Sequence, residues 1–298
     1  METLLGKLEP LWENVLNLYW HDHVVQAYEL ALQAGLGTSA EYAEEFRLIE
    51  GEALTRKVSR IIPLSEYLSL EFVPDETGDC AERLGEIAIQ TCQKIAERFH
   101  VPPKFPTLLA ILARAVSGPW ATNPHGYCED KFPYEKICLP YSVTQNHTEF
   151  SQAVAHEYTH VISLNVSRGR LPTWLEEALS VLAEGACDQE VALAFKTGKI
   201  PWMTPEKLER AFSEKGAHET LWYAYQQAGW IGRYLSEHFG ESTFGEIMHR
   251  MAKPRWWWAL ANALLNTTDT DWAVREVYGI TLKELFLRAH AYLSETCQ

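Results

Sequence analysis

Apolar residues recur every three or four positions through residues 3–60, for example at Tyr28 and Leu32. This spacing places apolar side chains on one face of an α-helix, and it predicts helices on both sides of the break at Gly35-Leu36-Gly37. We interpret residues 1–62 as an N-terminal helical segment, either a helical hairpin or a degenerate tetratricopeptide-like unit. A single unit is too short to form a free-standing solenoid, so we expect it to pack on the rest of the chain.

A different pattern begins after this segment. Leu68, Leu70 and Phe72 alternate with other residues, and this period of two predicts a β-strand. A second strand is predicted over residues 107–113, and a further short strand is predicted over residues 135–139, near the H-E-x-x-H segment in the sequence. The middle of the chain is therefore expected to form a small sheet.

Helical periodicity returns over residues 84–99 and again over residues 219–239. Two start signals support further helices near the C-terminus: Thr204-Pro205, an N-cap followed by proline, and the capping box of Thr281 and Glu284. The predicted fold class is α+β and predominantly helical. It consists of a core with a small mixed sheet, flanked by helical N- and C-terminal regions.

The chain contains the sequence His156-Glu157-Tyr158-Thr159-His160. On an α-helix, residues four apart lie nearly above one another, so His156 and His160 would project from one face and could share a Zn²⁺ ion. Glu157 would lie about 100° around the helix, where its carboxylate can accept a proton from a zinc-bound water. H-E-x-x-H on a helix therefore predicts a zinc hydrolase site. The alternative is that two histidines share one face of an ordinary helix.

A zinc hydrolase site of this kind needs a third protein ligand. A second predicted helix follows shortly after the H-E-x-x-H segment and offers two candidates, Glu176 and Glu177. Thr173 and Glu176 have the spacing of a capping box, in which the glutamate bonds back to the N-cap amide. We therefore predict that Glu176 caps the helix and that Glu177 is the third ligand.

The segment Trp174-Leu175-Glu176-Glu177-Ala178-Leu179-Ser180 resembles the third-ligand helix of the peptidase MA-like gluzincins, relatives of thermolysin, the collagenases and the helical aminopeptidases. In that family the helix commonly reads W-L-x-E-G-x-A, so Ala178 and Ser180 depart from the pattern by one methyl and one hydroxyl group. Val181 stands where thermolysin carries an aspartate that orients a histidine, so a different acceptor would have to orient that ring. The resemblance extends over residues 66–293, with its strong motifs at 153–185.

The resemblance implies a gluzincin-like zinc metallopeptidase core over residues 63–200 and a C-terminal helical subdomain over residues 201–298 that closes the cleft. In this family a short strand flanks the cleft and pairs with the substrate backbone. The strand predicted at residues 135–139 is expected to take that role.

The resemblance also assigns roles to individual residues. One zinc ion per chain would be bound by His156, His160 and Glu177, with Glu157 as the general base. Tyr225 matches the family's Y-x-Q position, and its phenol is expected to donate a hydrogen bond to the oxyanion of the tetrahedral intermediate.

The composition limits the partners and the compartment. The chain has 298 residues and a formal net charge of −14, which disfavours nucleic acid or an anionic membrane as the main partner. A peptide or protein substrate is compatible with this charge, and the N-terminal helices are a candidate surface for a protein partner. The first residues contain no apolar run of signal-peptide length, so we predict a cytoplasmic protein.

The six cysteines show no C-x-x-C pair, which favours free thiols, although a disulfide between Cys128 and Cys138 is an alternative. The sequence His21-Asp22-His23 has the residue types of a metal site, but neighbours two apart on a helix diverge by about 200°. We interpret it as a solvated turn.

The predicted function is zinc-dependent hydrolysis of peptide bonds. An endopeptidase is favoured, because the chain lacks the G-x-M-E-N sequence with which aminopeptidase relatives hold a free amino terminus. Two alternatives remain: a gluzincin-fold binding or scaffold protein that has lost turnover, and a zinc hydrolase with a substrate other than a peptide.

Overall fold

A computed structural model describes the chain over residues 2–39, 42–116, 126–131, 133–185, 188–213, 218–265 and 267–297. The strands within these ranges are β1 (Arg60–Pro63), β2 (Leu68–Phe72), β3 (Thr107–Ile111), β4 (Tyr127–Asp130) and β5 (Glu135–Leu139). The helices before and between them are α1 (Glu2–Trp20), α2 (Val24–Gln33), α3 (Ala43–Arg56), α4 (Pro74–Thr77) and α5 (Ala81–Arg98). The later helices are α6 (His147–Ser167), α7 (Thr173–Glu184), α8 (Gln189–Lys196), α9 (Pro205–Ser213), α10 (His218–Phe239), α11 (Thr243–Ala252), α12 (Trp258–Leu265), α13 (Asp269–Tyr278) and α14 (Leu282–Thr296).

The sheet has the strand order β1-β2-β3-β5-β4. The three inner strands are parallel, and both edge strands are antiparallel to their neighbours. This small mixed sheet in a mostly helical chain confirms the predicted α+β class. The three predicted strands are confirmed as β2, β3 and β5, whereas β1 and β4 were not predicted. Both are four residues long, too short for a clear alternating pattern.

The role expected for the strand at residues 135–139 is wrong. β5 is hydrogen-bonded to β3 on one side and to β4 on the other, so its backbone groups are already paired. An added peptide strand needs an unpaired edge. On this side of the sheet the edge belongs to β4.

Contacts divide the chain into two compact units. The first comprises Met1–Thr91 and Lys104–Glu157, and the second comprises Cys92–Pro103 and Tyr158–Gln298. The boundary after Glu157 falls inside helix α6, which is continuous through it. The three-part division at residues 62 and 200 stays a prediction.

Within the first unit, helices α1 to α3 bury an apolar cluster of their own. Its fully or nearly fully buried members are Trp12, Val15, Tyr19, Val24, Ala27, Ala31, Leu36, Phe46 and Ile49. The predicted N-terminal helices are therefore present, and their likeness to a tetratricopeptide unit stays a prediction.

Asp22 corrects the interpretation of His21-Asp22-His23 as a solvated turn. The segment is a turn with both histidines exposed, but Asp22 is only 8% exposed. Its carboxylate contacts Arg56 at 2.7 Å and Lys136 of β5 at 3.1 Å, and it accepts a hydrogen bond from the hydroxyl of Tyr134. The sequence pattern could not predict this burial because Arg56 and Lys136 lie far along the chain.

Glu52 of α3 lies in the same buried network. It contacts Lys136 at 2.7 Å and Lys131 at 3.3 Å, and it accepts a hydrogen bond from Tyr19. Burial raises the pKa of Glu52, but the two ammonium groups outweigh that effect and lower the pKa to about 2. Buried ion pairs therefore connect the N-terminal helices to the sheet.

The second unit is helical, and α7 and α10 pack closely within it. Gly232 of α10 lies so near to α7 that an added Cβ atom would be 2.3 Å from the carbonyl oxygen of Ala178. The predicted helix starts are confirmed: Thr204 accepts a hydrogen bond from the amide of Lys207, and Thr281 and Glu284 form a capping box. This packing fixes the position of α7, which carries one of the predicted metal ligands.

Candidate metal centre

Helix α6 carries the H-E-x-x-H residues. Asn146 caps its first turn, since the Asn146 side-chain oxygen accepts hydrogen bonds from the amides of Thr148 and Glu149. Its inward face is completely buried at Phe150, Val154, Tyr158, Val161 and Ile162, among others. The predicted helical placement of both histidines is therefore confirmed.

The three predicted ligands come together. One donor atom from each of His156, His160 and Glu177 lies within 4.8 Å of the other two. The Nε2 atom of His160 is 3.7 Å from Oε2 of Glu177. In a tetrahedral site with zinc–ligand bonds of about 2.0–2.2 Å, the ligand atoms are about 3.3–3.6 Å apart. Two imidazoles and one carboxylate at this spacing could hold a metal ion.

Glu157 lies on α6 with His156 and His160 and is only 3% exposed. Burial raises the pKa of the Cys128 thiol on the edge strand β4. The negative charge of Glu157 is the next largest cause of that rise. The charge of Glu157 therefore reaches the thiol of Cys128 on β4.

The start of α7 corrects the prediction of a capping box at Thr173 and Glu176. Thr173 is already helical, and Pro172 precedes it as the N-cap. The amides of Thr173 and Trp174 donate hydrogen bonds to the carboxylate of Glu209, at 3.2 and 3.1 Å. Glu209 belongs to α9, so a carboxylate from another helix satisfies amides that a local side chain would otherwise cap.

Glu176 has a different role from the predicted one. Its carboxylate accepts a hydrogen bond from the hydroxyl of Ser163 on α6, at 3.1 Å. Burial raises the pKa of Glu176 to about 7; the bond from Ser163 opposes this rise, and the charges of Glu177 and Glu209 add to it. Glu176 therefore forms a hydrogen bond between α6 and α7 and does not cap α7.

The side chains of Tyr225 and Tyr223, both on α10, contact different residues. The Tyr225 ring is half-buried and packs edge-on against Phe212, with ring centroids 5.1 Å apart. The Tyr223 hydroxyl donates to Glu219 at 2.5 Å, within the same helix. The role of Tyr225 as an oxyanion donor stays a prediction.

Sequence reasoning missed Ser163, Glu209 and Cys128. Ser163 follows His160 by about one helical turn, so its position in the sequence places it near the predicted site. No local signal marks Glu209 or Cys128, because their contacts join helices and strands that are distant in the sequence.

Comparisons with protein-family models, curated proteins and solved structures find no match. The cysteines that the structure describes, Cys80, Cys92, Cys128, Cys138 and Cys297, are free thiols, so the alternative disulfide between Cys128 and Cys138 is wrong. Cys187 lies outside the described residues. No helix among the described residues is long and apolar enough to cross a bilayer.

Proposed function

We propose that this chain is a zinc metallopeptidase of the gluzincin type that hydrolyses peptide bonds, with one zinc ion per chain. The observation that supports the proposal most directly is the convergence of His156, His160 and Glu177 within 4.8 Å. Two of these residues belong to an H-E-x-x-H helix, and the third comes from the next helix along the chain. A chance pair of histidines on an ordinary helix would not require this third donor.

The chain's own residues then have separate tasks. Zinc, when bound by the three side chains, would polarise the scissile carbonyl and lower the pKa of a bound water. Glu157 accepts the proton of the attacking water and passes it to the leaving nitrogen. Its position next to His156 in the sequence points the carboxylate beside the ligand set, so it can act as a base without being a ligand.

The edge strand adds support for an extended peptide as the substrate. β4 forms the edge of the sheet on the side of β5, and the charge of Glu157 contributes to the raised pKa of its Cys128 thiol. An extended peptide substrate could add to the sheet by pairing with β4. This arrangement favours an endopeptidase, and the free thiols are compatible with a cytoplasmic location.

The test combines the metal content of the purified protein with an unbiased digest of a peptide library, using Glu157→Gln as the matched control. We expect about one zinc per chain, cleavage by the wild-type protein, and no cleavage by the variant. Stoichiometric zinc without cleavage of any peptide would instead favour an inactive binding protein or a hydrolase with another substrate. Absence of zinc would contradict the proposal itself.

A further inference from the structure

Helix α12 exposes an apolar face to solvent. Trp256, just before the helix, is 87% exposed, and Leu260, Leu264 and Leu265 are 61%, 74% and 63% exposed. Trp256, Leu260 and Leu264 are spaced four apart, and the turn from Arg255 to Trp258 leads directly into the helix. Trp256, Leu260 and Leu264 therefore form one continuous stripe, and Leu265 lies about 100° around the helix from Leu264.

The opposite face of α12 fixes this orientation through polar contacts. Trp258 is fully buried, and Asn262, one turn later, makes three side-chain hydrogen bonds. Asn262 donates to Asp269 at 2.8 Å, and it accepts from the indole of Trp272 at 2.9 Å and from Thr267 at 3.0 Å. A helix on a protein surface usually turns its apolar face inward. Here the polar residue points inward and the leucines point outward.

The size of the surface limits what can cover it. Single exposed leucines are ordinary, but contiguous apolar patches beyond a few hundred Å² mark interaction sites. From their exposed fractions, the four side chains present on the order of 500 Å². A stable protein dimer buries about 800 Å² on each partner, so this stripe alone is too small for a second copy.

The charge around the stripe indicates the kind of partner. Arg250, Lys253 and Arg255 precede the helix, and no acidic residue occurs between positions 250 and 268. Glu276 pairs with both arginines, at 3.0 and 2.7 Å, and balances only part of this charge. In a chain with a net charge of −14, this is a basic segment next to tryptophans and leucines. Tryptophan is enriched at the interface between water and lipid, and basic side chains are attracted to anionic headgroups.

We propose that α12 and Trp256 bind the surface of an anionic bilayer. Leu260, Leu264 and Leu265 enter the boundary between headgroups and acyl chains, Trp256 lies at headgroup level, and Lys253 faces the lipid phosphates. The overall negative charge led to the opposite expectation, of no membrane partner. Because charges more than about 8 Å from the surface are screened at physiological ionic strength, the local basic segment determines the contact.

The test is co-sedimentation of the full chain with two kinds of vesicle, pure phosphatidylcholine and phosphatidylcholine mixed with phosphatidylglycerol. We expect binding to the mixed vesicles that weakens as salt is added. The double substitution Leu260→Ser and Leu264→Ser should weaken binding roughly tenfold or more, since it removes the apolar contact. The matched control is Leu193→Ser with Leu287→Ser, because those leucines are 50% and 61% exposed on other helices. This control should bind like the wild type.

Three results would overturn the proposal. The first is the absence of wild-type binding to the mixed vesicles, and the second is an equal loss of binding in the control variant. The third is a wild-type dimer in light scattering that becomes monomeric in the Leu260 and Leu264 variant, which would make a second copy of the chain the occupant. Circular dichroism checks that both variants are folded.

Discussion

The Nε2 atom of His160 lies 3.7 Å from Oε2 of Glu177, on the next helix of the chain. Glu176, one position earlier, instead accepts a hydrogen bond from Ser163. Two adjacent glutamates thus contact different residues of α6, Glu177 contacting His160 and Glu176 contacting Ser163. This difference allows the proposed ligand set to be tested with a matched pair of variants.

We expect Glu177→Gln to lose most of the bound zinc, because an amide is a far poorer zinc ligand than a carboxylate. Glu176→Gln should retain about one zinc per chain, since it makes the same chemical change one position away. The measurement is metal content by mass spectrometry after dialysis. Zinc loss in the Glu176 variant with retention in the Glu177 variant would show that the ligand assignment is wrong.

Glu157→Gln should separate metal binding from chemistry. The amide cannot accept the proton, so we expect peptide hydrolysis to fall by roughly two to four orders of magnitude. Zinc content should remain near that of the wild type, because Glu157 is not a proposed ligand. Activity close to the wild-type level would refute the role of Glu157 as the base, and loss of zinc would mean that it coordinates the metal.

Tyr225→Phe tests the proposed oxyanion donor. Removal of one such donor should lower kcat and kcat/KM together by about 2.7–4 kcal/mol of transition-state stabilisation, with zinc retained. Tyr223→Phe is the control, because its hydroxyl bonds to Glu219 on the same helix. A defect found only in the Tyr223 variant would exclude Tyr225 from this role.

Lys136→Met tests the buried ion pairs that connect the N-terminal helices to the sheet. The ammonium group lies 2.7 Å from Glu52 and 3.1 Å from Asp22, so its removal leaves two buried carboxylates without this partner. We expect a loss of about 3–5 kcal/mol in the free energy of unfolding, measured by urea titration. Lys57→Met removes an exposed pair with Glu29 and should cost at most about 1 kcal/mol. Equal losses in the two variants would contradict the importance of burial.

The same network predicts a pH dependence. The pKa of Glu52 falls from its ordinary value of 4.5 to about 2 in the folded protein, because Lys136 and Lys131 outweigh the effect of burial. Its stabilising contribution is therefore complete above about pH 4.5 and is lost as the pH falls towards 2. Urea midpoints measured across this range should fall more steeply for the wild type than for Glu52→Gln. Parallel profiles would contradict this prediction.

Local sequence patterns determined much of the secondary structure. The period of two at Leu68, Leu70 and Phe72 specified β2, and the helical period specified α5 and α10. The four-residue spacing of His156 and His160 was sufficient to place both rings on one helix face, because helix geometry relates residues within a turn or two. The candidate ligands His156, His160 and Glu177 were therefore all identifiable before the structure was known.

Tertiary structure alone decided the contacts between distant residues. Asp22 is buried because Arg56, Tyr134 and Lys136 surround it. The amides at the start of α7 donate hydrogen bonds to Glu209. The local spacing had instead predicted a capping box of Thr173 and Glu176. A local sequence pattern reflects the preference of single residues for a helix or a cap position, which is worth a few tenths to about 1 kcal/mol per residue. The packing of helices and strands that lie far apart in the sequence can outweigh such preferences, and it determines which polar groups become partners.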